Sequence, residues 1–324
     1  MFETRQIGQT NTYVSSVAFG CASIGNLYRE ASNAEVHAVL DAAWKAGIRY
    51  FDTAPHYGRG RSELRLGAFL ADKTREDYVV STKVGRVLFA GAQCTEADGY
   101  INPLPNDVRY DYSGDGIEAA LEGSRERLGT DYIDIVYVHD IGTYTHGVNN
   151  AAHMDAFLGD GYERLVRMKE EGKIGAIGLG VNENEICVEI MKDHPLDVIL
   201  LAGRLTLLDR SAEDVLVPMC RDAGTSLVLG GVFNSGILAT GAIGGATYDY
   251  VPASGEVLAA VTALQDKAER LGIPLATAAL QFAKCNPLAA SVLIGTADAS
   301  LLTRNLTALE LAPPEGFAWT FAVS

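Results

Sequence analysis

Short apolar runs typical of β-strands alternate with helix-like segments along most of this 324-residue chain. The runs are rich in β-branched and aromatic residues, and the segments between them repeat apolar residues at three- and four-residue spacing. This alternation predicts a parallel sheet whose connections are helices. The predicted strands are residues 14–20, 50–54, 78–84, 133–139, 174–180, 197–202, 226–231 and 291–295.

Eight strands separated by helices fit a closed (β/α)8 barrel, or TIM barrel, and the chain length is ordinary for that fold. A doubly wound open sheet is the alternative, but it would carry a glycine-rich phosphate-binding turn after its first strand. Residues 20–25 read Gly-Cys-Ala-Ser-Ile-Gly, which is not that turn, so we predict one TIM-barrel domain over residues 1–324. The predicted helices include residues 34–46, 116–128, 161–171, 213–223, 257–271 and 275–285, the last with Pro274 in its first turn.

Two long connections, residues 85–114 and 141–160, follow the third and fourth predicted strands. Both leave from the carboxyl ends of the strands, where barrel active sites are built, so we expect them to cover a substrate. Their aromatic and histidine side chains either contact a small polyol or pack the loops onto the barrel. The residues concerned include Tyr100, Tyr110, Tyr112, Tyr144 and His146.

The net charge of −15, with an isoelectric point near 4.8, argues against a surface that neutralises nucleic-acid phosphates. The first residues lack the pattern of a signal peptide, and no apolar stretch approaches the roughly 20 residues that span a bilayer. Five scattered cysteines without a CxxC pair predict free thiols in a reducing cytoplasm. No HExxH spacing is present, so no metal is expected, and the sequence does not predict an oligomeric state.

Four polar residues at or just beyond predicted strand ends carry the chemical signal: Asp52, Tyr57, Lys83 and His139. Ionisable groups at buried strand ends are unfavourable unless they are paired or take part in chemistry. A lysine held by Asp52 would lower the pKa of Tyr57, which at about 10 is otherwise too high for a general base near neutrality. His139 would hydrogen-bond the reacting oxygen and hold it in line.

The motifs around these residues resemble the aldo-keto reductase family over residues 14–309. Residues 47–58 read Gly-Ile-Arg-Tyr-Phe-Asp-Thr-Ala-Pro-His-Tyr-Gly, Ser62-Glu63 and Leu66-Gly67 follow, and Ser-Thr-Lys ends at Lys83. The resemblance implies a TIM barrel with an N-terminal hairpin from residues 2–13, and a nicotinamide-dependent oxidoreductase. Tyr57 would then accept a hydroxyl proton during oxidation, or donate one to a carbonyl during reduction.

The same resemblance places a dinucleotide site in the second half of the chain. It assigns the nicotinamide carboxamide to Asn182, although Asn182 could instead cap a helix near residue 183. It gives Arg204 a phosphate or substrate contact, although a salt bridge at the barrel rim is equally ordinary. The remaining predicted cofactor residues are Gly230, Gly231, Val232, Phe233, Asn234, Gly236, Ile237, Gly295, Thr296, Asp298 and Asn305.

Residues 294–305, the last part of the predicted cofactor site, predict NAD rather than NADP. Members of the family that use NADPH usually carry cationic residues where this chain has Ala297 and Leu301. A 2′-phosphate requires cationic partners, and Asp298 would repel it while accepting a hydrogen bond from a ribose hydroxyl. Arg304 is the one nearby cation that could compensate.

Four segments resemble a branch of the family that contains bacterial L-fucose (D-threo-aldose) 1-dehydrogenases and pyridoxal 4-dehydrogenases. They are residues 111–115, 180–182, 201–204 and 230–238. In both groups of enzymes, a cyclic hemiacetal is oxidised to a lactone. The leading prediction is therefore NAD-dependent oxidation of an aldose at C1, with pyridoxal oxidation as the near alternative. An NADPH carbonyl reductase and a non-catalytic nucleotide-binding subunit are the further alternatives, and the intact set of four polar residues argues against the last.

Overall fold

Eight parallel strands close into a barrel in this computed structural model, which describes residues 2–322. Each strand pairs with the next along the chain, and the eighth pairs with the first through Val292 and Val17. The predicted (β/α)8 barrel is therefore confirmed. In chain order the barrel strands β1 to β8 are Val17–Gly20, Tyr50–Asp52, Val79–Val84, Ile133–His139, Ile174–Val181, Val198–Ala202, Ser226–Gly230 and Ala289–Ile294.

Helices cover the outside of the barrel, and four of the longer ones begin at a capping side chain. Ser32 forms a capping box with Glu35, and Ser113 and Ser254 each accept a hydrogen bond from a first-turn backbone N–H. The longer helices are Asn33–Lys45, Arg61–Leu70, Gly114–Leu128, Tyr162–Glu170, Glu185–Met191, Leu216–Ala223, Gly255–Arg270, Leu275–Cys285 and Ala299–Glu310. Within residues 2–322, no helix is long and apolar enough to cross a membrane.

The barrel has two apolar layers because successive side chains of a strand point to opposite faces. In β4, Ile135 and Tyr137 belong to the interior cluster, whereas Val136 and Val138 pack outward against the helices. All four are fully buried. The interior layer is therefore a packed core on which the polar groups of the upper mouth rest.

The N-terminal hairpin closes the lower mouth of the barrel, as predicted. Thr4–Gln6 pairs antiparallel with Tyr13–Ser15, and Ile7 in the turn is fully buried against the barrel interior. The predicted strand 14–20 is wrong as one element. It divides at Ser16, whose N–H binds the hairpin and whose carbonyl binds Val292 of β8.

The two long connections rise from the upper mouth. The first contains an antiparallel pair, Arg86–Ala90 with Asn106–Tyr110. The second contains the short helices Thr143–His146 and Asn150–Ala156. Tyr112 is fully buried and donates a hydrogen bond to the backbone carbonyl of His139 at 2.7 Å, so this aromatic residue packs its loop onto the barrel.

Glu63, on the helix Arg61–Leu70, joins that helix to the helix Gly114–Leu128 and to β3, and it offers a test of the packing. It is fully buried, and it accepts hydrogen bonds from Arg127 Nε at 2.6 Å and from Thr82 Oγ1 at 2.7 Å. Glu63→Ala should lower the free energy of unfolding by about 3 kcal/mol, because it leaves a half-buried guanidinium without its acceptor. Urea unfolding monitored by circular dichroism measures the change.

Glu122→Ala is the matched control, since the exposed Glu122 pairs with Arg125 on Gly114–Leu128, the helix that carries Arg127. That substitution should change the free energy of unfolding by less than about 1 kcal/mol. Equal losses for the two variants would contradict the role given to Glu63.

Candidate active site

The structure brings Asp52, Tyr57 and Lys83 together at the upper mouth of the barrel. The Lys83 ammonium donates to Asp52 Oδ2 at 2.7 Å, to the Thr53 carbonyl at 2.9 Å and to Tyr57 OH at 3.0 Å. Lys83 is 2% exposed and Asp52 is 1% exposed. These contacts follow from the topology, because β2 and β3 are neighbours whose carboxyl ends lie at the same edge.

A second layer of hydrogen bonds lies beneath this cluster, and its direction follows from donor counting. Ser81 donates to Asp52 Oδ1 at 2.7 Å, so its oxygen accepts from the Tyr50 hydroxyl at 3.1 Å. The Tyr50 hydroxyl in turn accepts from Tyr137 at 2.9 Å. Both oxygens of Asp52 are therefore engaged, and the carboxylate is held in one orientation.

Sequence reasoning missed Tyr50, Ser81 and Tyr137, although a signal was available. Each lies two residues before a member of the four-residue set, and strand side chains repeat with a period of two. They therefore face the same barrel interior, one layer lower. That spacing, applied to each strand end, would have found the network.

The expected lowering of the Tyr57 pKa is wrong for this structure. Burial and the Asp52 carboxylate raise the pKa of Tyr57 well above its usual value. Lys83 does stabilise the tyrosinate through its hydrogen bond, but Lys83 and Asp52 form an ion pair with no net charge. Tyr57 is therefore protonated near neutrality, and its oxygen accepts from Lys83 while its own proton is available to a substrate.

His139 ends β4 beside Tyr57, with their rings 5.9 Å apart and nearly perpendicular. Burial and the nearby Arg86 guanidinium hold the pKa of His139 well below its usual value. His56 lies 5.9 Å from the His139 ring, and burial lowers the pKa of His56 to about 3. Tyr100, from the first long connection, stacks on Tyr57 at 6.1 Å and forms one wall of the site.

A cavity of about 320 Å³ begins at Asp52 and Tyr57 and extends past the ends of β7 and β8. Its far end is lined by Asn305, so it reaches from the four-residue cluster to the last helix of the barrel. A groove joining these two ends is what an extended dinucleotide requires. The predicted cofactor residues that line it are Gly231, Val232, Phe233, Asn234, Gly236, Gly295 and Asn305.

Glycine is required at two of these positions. Gly231 has φ of +60°, and a Cβ there would lie 2.8 Å from the Gly203 nitrogen. A Cβ on Gly295 would lie 2.6 Å from the Gly20 carbonyl. Both residues let the backbone form the wall of the groove where a side chain would not fit.

Six predicted cofactor residues do not line this cavity: Asn182, Arg204, Gly230, Ile237, Thr296 and Asp298. Gly230 ends β7 and Ile237 is buried behind the groove. Thr296 accepts a hydrogen bond from the Asp298 N–H, and Asp298 caps the helix Ala299–Glu310 through Ser300 and Leu301. Asp298 is exposed, with its pKa lowered by these capping hydrogen bonds.

The structure places Arg204 in the rim salt bridge that was its alternative role. Its terminal nitrogens donate to both oxygens of Asp249 at 2.9 and 2.8 Å, and one of them also reaches Asp209 at 3.2 Å. Its Nε donates to the Asn182 carbonyl at 2.7 Å. Asn182 does not cap the following helix, which begins after Asn184.

Arg29 is a further residue to which sequence reasoning assigned no role. Its guanidinium donates to the Ala297 carbonyl at 3.3 Å and to Glu35 at 3.1 Å. Arg304, by contrast, is exposed and does not line the cavity. The contact with Ala297 joins residues 268 positions apart, so no local motif could have revealed it.

Comparison with known proteins agrees with this arrangement. Residues 16–315 match the model of the Aldo/keto reductase family. The chain is 39% identical to pyridoxal 4-dehydrogenase from Microbacterium luteolum, covering 98% of this chain and 96% of the relative. It is 36% identical to D-threo-aldose 1-dehydrogenase from Pseudomonas sp, covering 94% and 92% respectively.

A solved structure shares the fold. The holo form of an aldo-keto reductase from Bacillus halodurans aligns with a TM-score of 0.74 at 24% identity, covering 99% of this chain and 96% of that one. Since the family model covers most of the chain and two relatives above 30% identity match nearly all of it, this protein belongs to the aldo/keto reductase family, whose members are oxidoreductases that use nicotinamide cofactors.

Proposed function

We propose that this protein is an NAD-dependent dehydrogenase that oxidises an aldose of the L-fucose or D-threo-aldose type at C1 to the lactone. The observation that carries the proposal is the Lys83 ammonium, which joins Asp52 to Tyr57 where the cavity begins. The name of the relative at 36% identity supports the substrate class. Pyridoxal is the second candidate substrate, favoured by the relative at 39% identity.

Both substrates present a cyclic hemiacetal, so one mechanism serves either. Tyr57 accepts the proton of the hemiacetal hydroxyl, and Lys83 stabilises the resulting tyrosinate. His139 donates a hydrogen bond to the reacting oxygen and orients it. When bound beside Tyr57, an oxidised nicotinamide would supply the hydride acceptor and a positive charge.

The cofactor would lie along the cavity wall formed by the loop after β7 and by Gly295 and Asn305. We assign NAD because Ala297 and Leu301 offer no cation to a 2′-phosphate. Arg29 contacts the Ala297 carbonyl, but it is paired with Glu35 and lies close to Asp298. The charges of these three groups sum to −1, which disfavours a 2′-phosphate.

Nicotinamide reduction, followed by absorbance, tests the substrate assignment. Each cofactor, NAD or NADP, is tested with each of five substrates: L-fucose, D-arabinose, L-galactose, L-xylose and pyridoxal. We expect rapid NADH formation with at least one of the sugars. Turnover of pyridoxal alone would replace the aldose assignment and keep the mechanism, and carbonyl reduction with NADPH alone would overturn both assignments.

Tyr57→Phe tests the proton acceptor. We expect kcat to fall by about 10²- to 10⁴-fold, the usual contribution of a general base, while cofactor binding persists. Tyr100→Phe is the matched control, because it removes a buried hydroxyl from the ring stacked on Tyr57. The loss of kcat in Tyr100→Phe should stay below about tenfold. Wild-type turnover in Tyr57→Phe would refute the assignment.

The raised pKa of Tyr57 predicts how oxidation depends on pH. Oxidation needs the deprotonated tyrosine, so kcat/KM should rise by about tenfold per pH unit until the pKa of Tyr57 is reached. Reduction needs the protonated form of Tyr57, so kcat/KM for reduction should not increase as the pH rises. The lowered pKa values of His56 and His139 predict that histidine protonation adds no second acidic limb between about pH 5 and 8. A pH-independent oxidation rate, with hydride transfer rate-limiting, would contradict this mechanism.

Ala297→Arg tests the adenosine end of the cavity. Adding a guanidinium should raise the kcat/KM ratio of NADP to NAD by about 10- to 100-fold, because it supplies a cationic partner for the 2′-phosphate. Thr303→Arg adds the same charge on the exposed face of the helix that follows, Ala299–Glu310, and should leave the ratio nearly unchanged. Equal ratios in the two variants would argue against this location for the adenosine ribose.

A further inference from the structure

Arg86 is a buried cation that the mechanism above does not use. It follows Gly85 at the end of β3, and its side chain is 5% exposed. One terminal nitrogen lies 2.7 Å from His139 Nδ1, and the other donates to Asp140 Oδ2 at 2.8 Å. One guanidinium therefore holds two consecutive residues at the end of β4.

The backbone around Arg86 is built for this contact. Gly85 has φ of +97°, and a Cβ there would lie 2.2 Å from the Tyr112 ring, so the chain turns sharply only because this residue is glycine. Asp140 also adopts the left-handed region, with φ of +49°, which a non-glycine residue rarely occupies. Strain of this kind persists where surrounding contacts hold the backbone in place.

Donor counting determines the protonation of His139. A guanidinium has only donors, so Nδ1 must be the acceptor and can carry no proton. A neutral imidazole with a bare Nδ1 carries its proton on Nε2. We propose that Arg86 is a positioning residue that keeps His139 neutral and in the Nε2–H form, so that His139 always presents a donor to the substrate oxygen.

The groups around His139 explain why Arg86 is needed. Lys83 and His56 face the ring from β3 and from the segment after β2, and Tyr57 contributes a neutral hydroxyl from that segment. Asp140 Oδ2 lies 3.4 Å from His139 Nε2 and favours the protonated ring. Arg86 occupies that same oxygen at 2.8 Å, which limits the pairing of Asp140 with an imidazolium.

Removing Arg86 should reverse this state. Without the guanidinium, Nδ1 can take up a proton and Asp140 can pair with the imidazolium through Nε2. His139 would then titrate in the ordinary range of histidine, near pH 6.5. Its Nε2–H would turn toward Asp140 at low pH and away from the substrate.

Nitrogen NMR of the full-length protein labelled with ¹⁵N at its histidines tests the proposal directly, with His139→Gln used to assign the signal. In the wild type we expect an unprotonated Nδ1 and a protonated Nε2, with no change between pH 5 and 9. In Arg86→Met we expect both nitrogens to titrate near pH 6.5. An Nδ1–H form in the wild type would overturn the proposal, and so would a His139 that fails to titrate in a folded Arg86→Met variant.

Arg59→Met is the matched control. Arg59 is another largely buried arginine that ties down the same loop, through the Asn106 carbonyl and Asp107. Loosening the loop there should leave the His139 signals unchanged, whereas titration in both variants would assign the effect to the loop rather than to Arg86. If circular dichroism shows that Arg86→Met does not fold, the NMR spectra of the wild type and of Arg86→Lys test the proposal instead. Arg86→Lys should keep the Nε2–H form of His139, because a lysine still donates to Nδ1.

The catalytic consequence rests on the proposed function and has its own readout. In Arg86→Met, kcat/KM for oxidation should fall about 10- to 100-fold below the wild-type value at pH 5.5 and recover part of that loss by pH 8.5, because protonation of His139 adds a second acidic limb to that of Tyr57. A uniform loss at all pH values would overturn the positioning role. If the wild type oxidises none of the sugars or pyridoxal, the NMR result still decides the protonation state of His139.

Discussion

The buried ammonium of Lys83 is the interaction on which the upper mouth of the barrel depends. An ammonium removed from water is unfavourable by several kcal/mol unless all of its donors find acceptors. Lys83 has three donors and three acceptors, supplied by Asp52, the Thr53 carbonyl and Tyr57. The position of the Tyr57 hydroxyl is therefore set by the need of Lys83 for a third acceptor, and this ties the proposed proton acceptor to the strand ends.

This cluster in turn requires the closed barrel. Its members come from neighbouring strands, and the layer below is reached by stepping back two residues along each strand to Tyr50, Ser81 and Tyr137. Their hydroxyls form a one-way chain that ends on the second oxygen of Asp52. Hydrogen bonds in such a chain polarise one another, which strengthens the hold on the carboxylate. Both oxygens of Asp52 are thus held by side chains of a barrel strand, Ser81 on Oδ1 and Lys83 on Oδ2.

The sequence could predict the parts of the site that lie on strands, because strand ends and period-two spacing are local properties. It predicts Asp52, Lys83 and His139 at strand ends that meet at one edge of the barrel. It could not predict the Arg86–His139 or Arg29–Ala297 contacts, which depend on how loops fold across the mouth. It also gave the wrong direction for the pKa of Tyr57, since charge pairing alone ignores the desolvation that burial brings.

The protonation state of Tyr57 also connects the proposed chemistry at one end of the cavity with the proposed cofactor binding along it. A tyrosine that is protonated when the site is empty is ready to donate, which suits reduction, and oxidation needs an added positive charge to stabilise the tyrosinate. An oxidised nicotinamide carries that charge, so the direction of the reaction depends on which form of the cofactor is bound. Under the proposed function, the charges of Arg29, Glu35 and Asp298 at the proposed adenosine end of the cavity then matter for the chemistry as well as for cofactor binding.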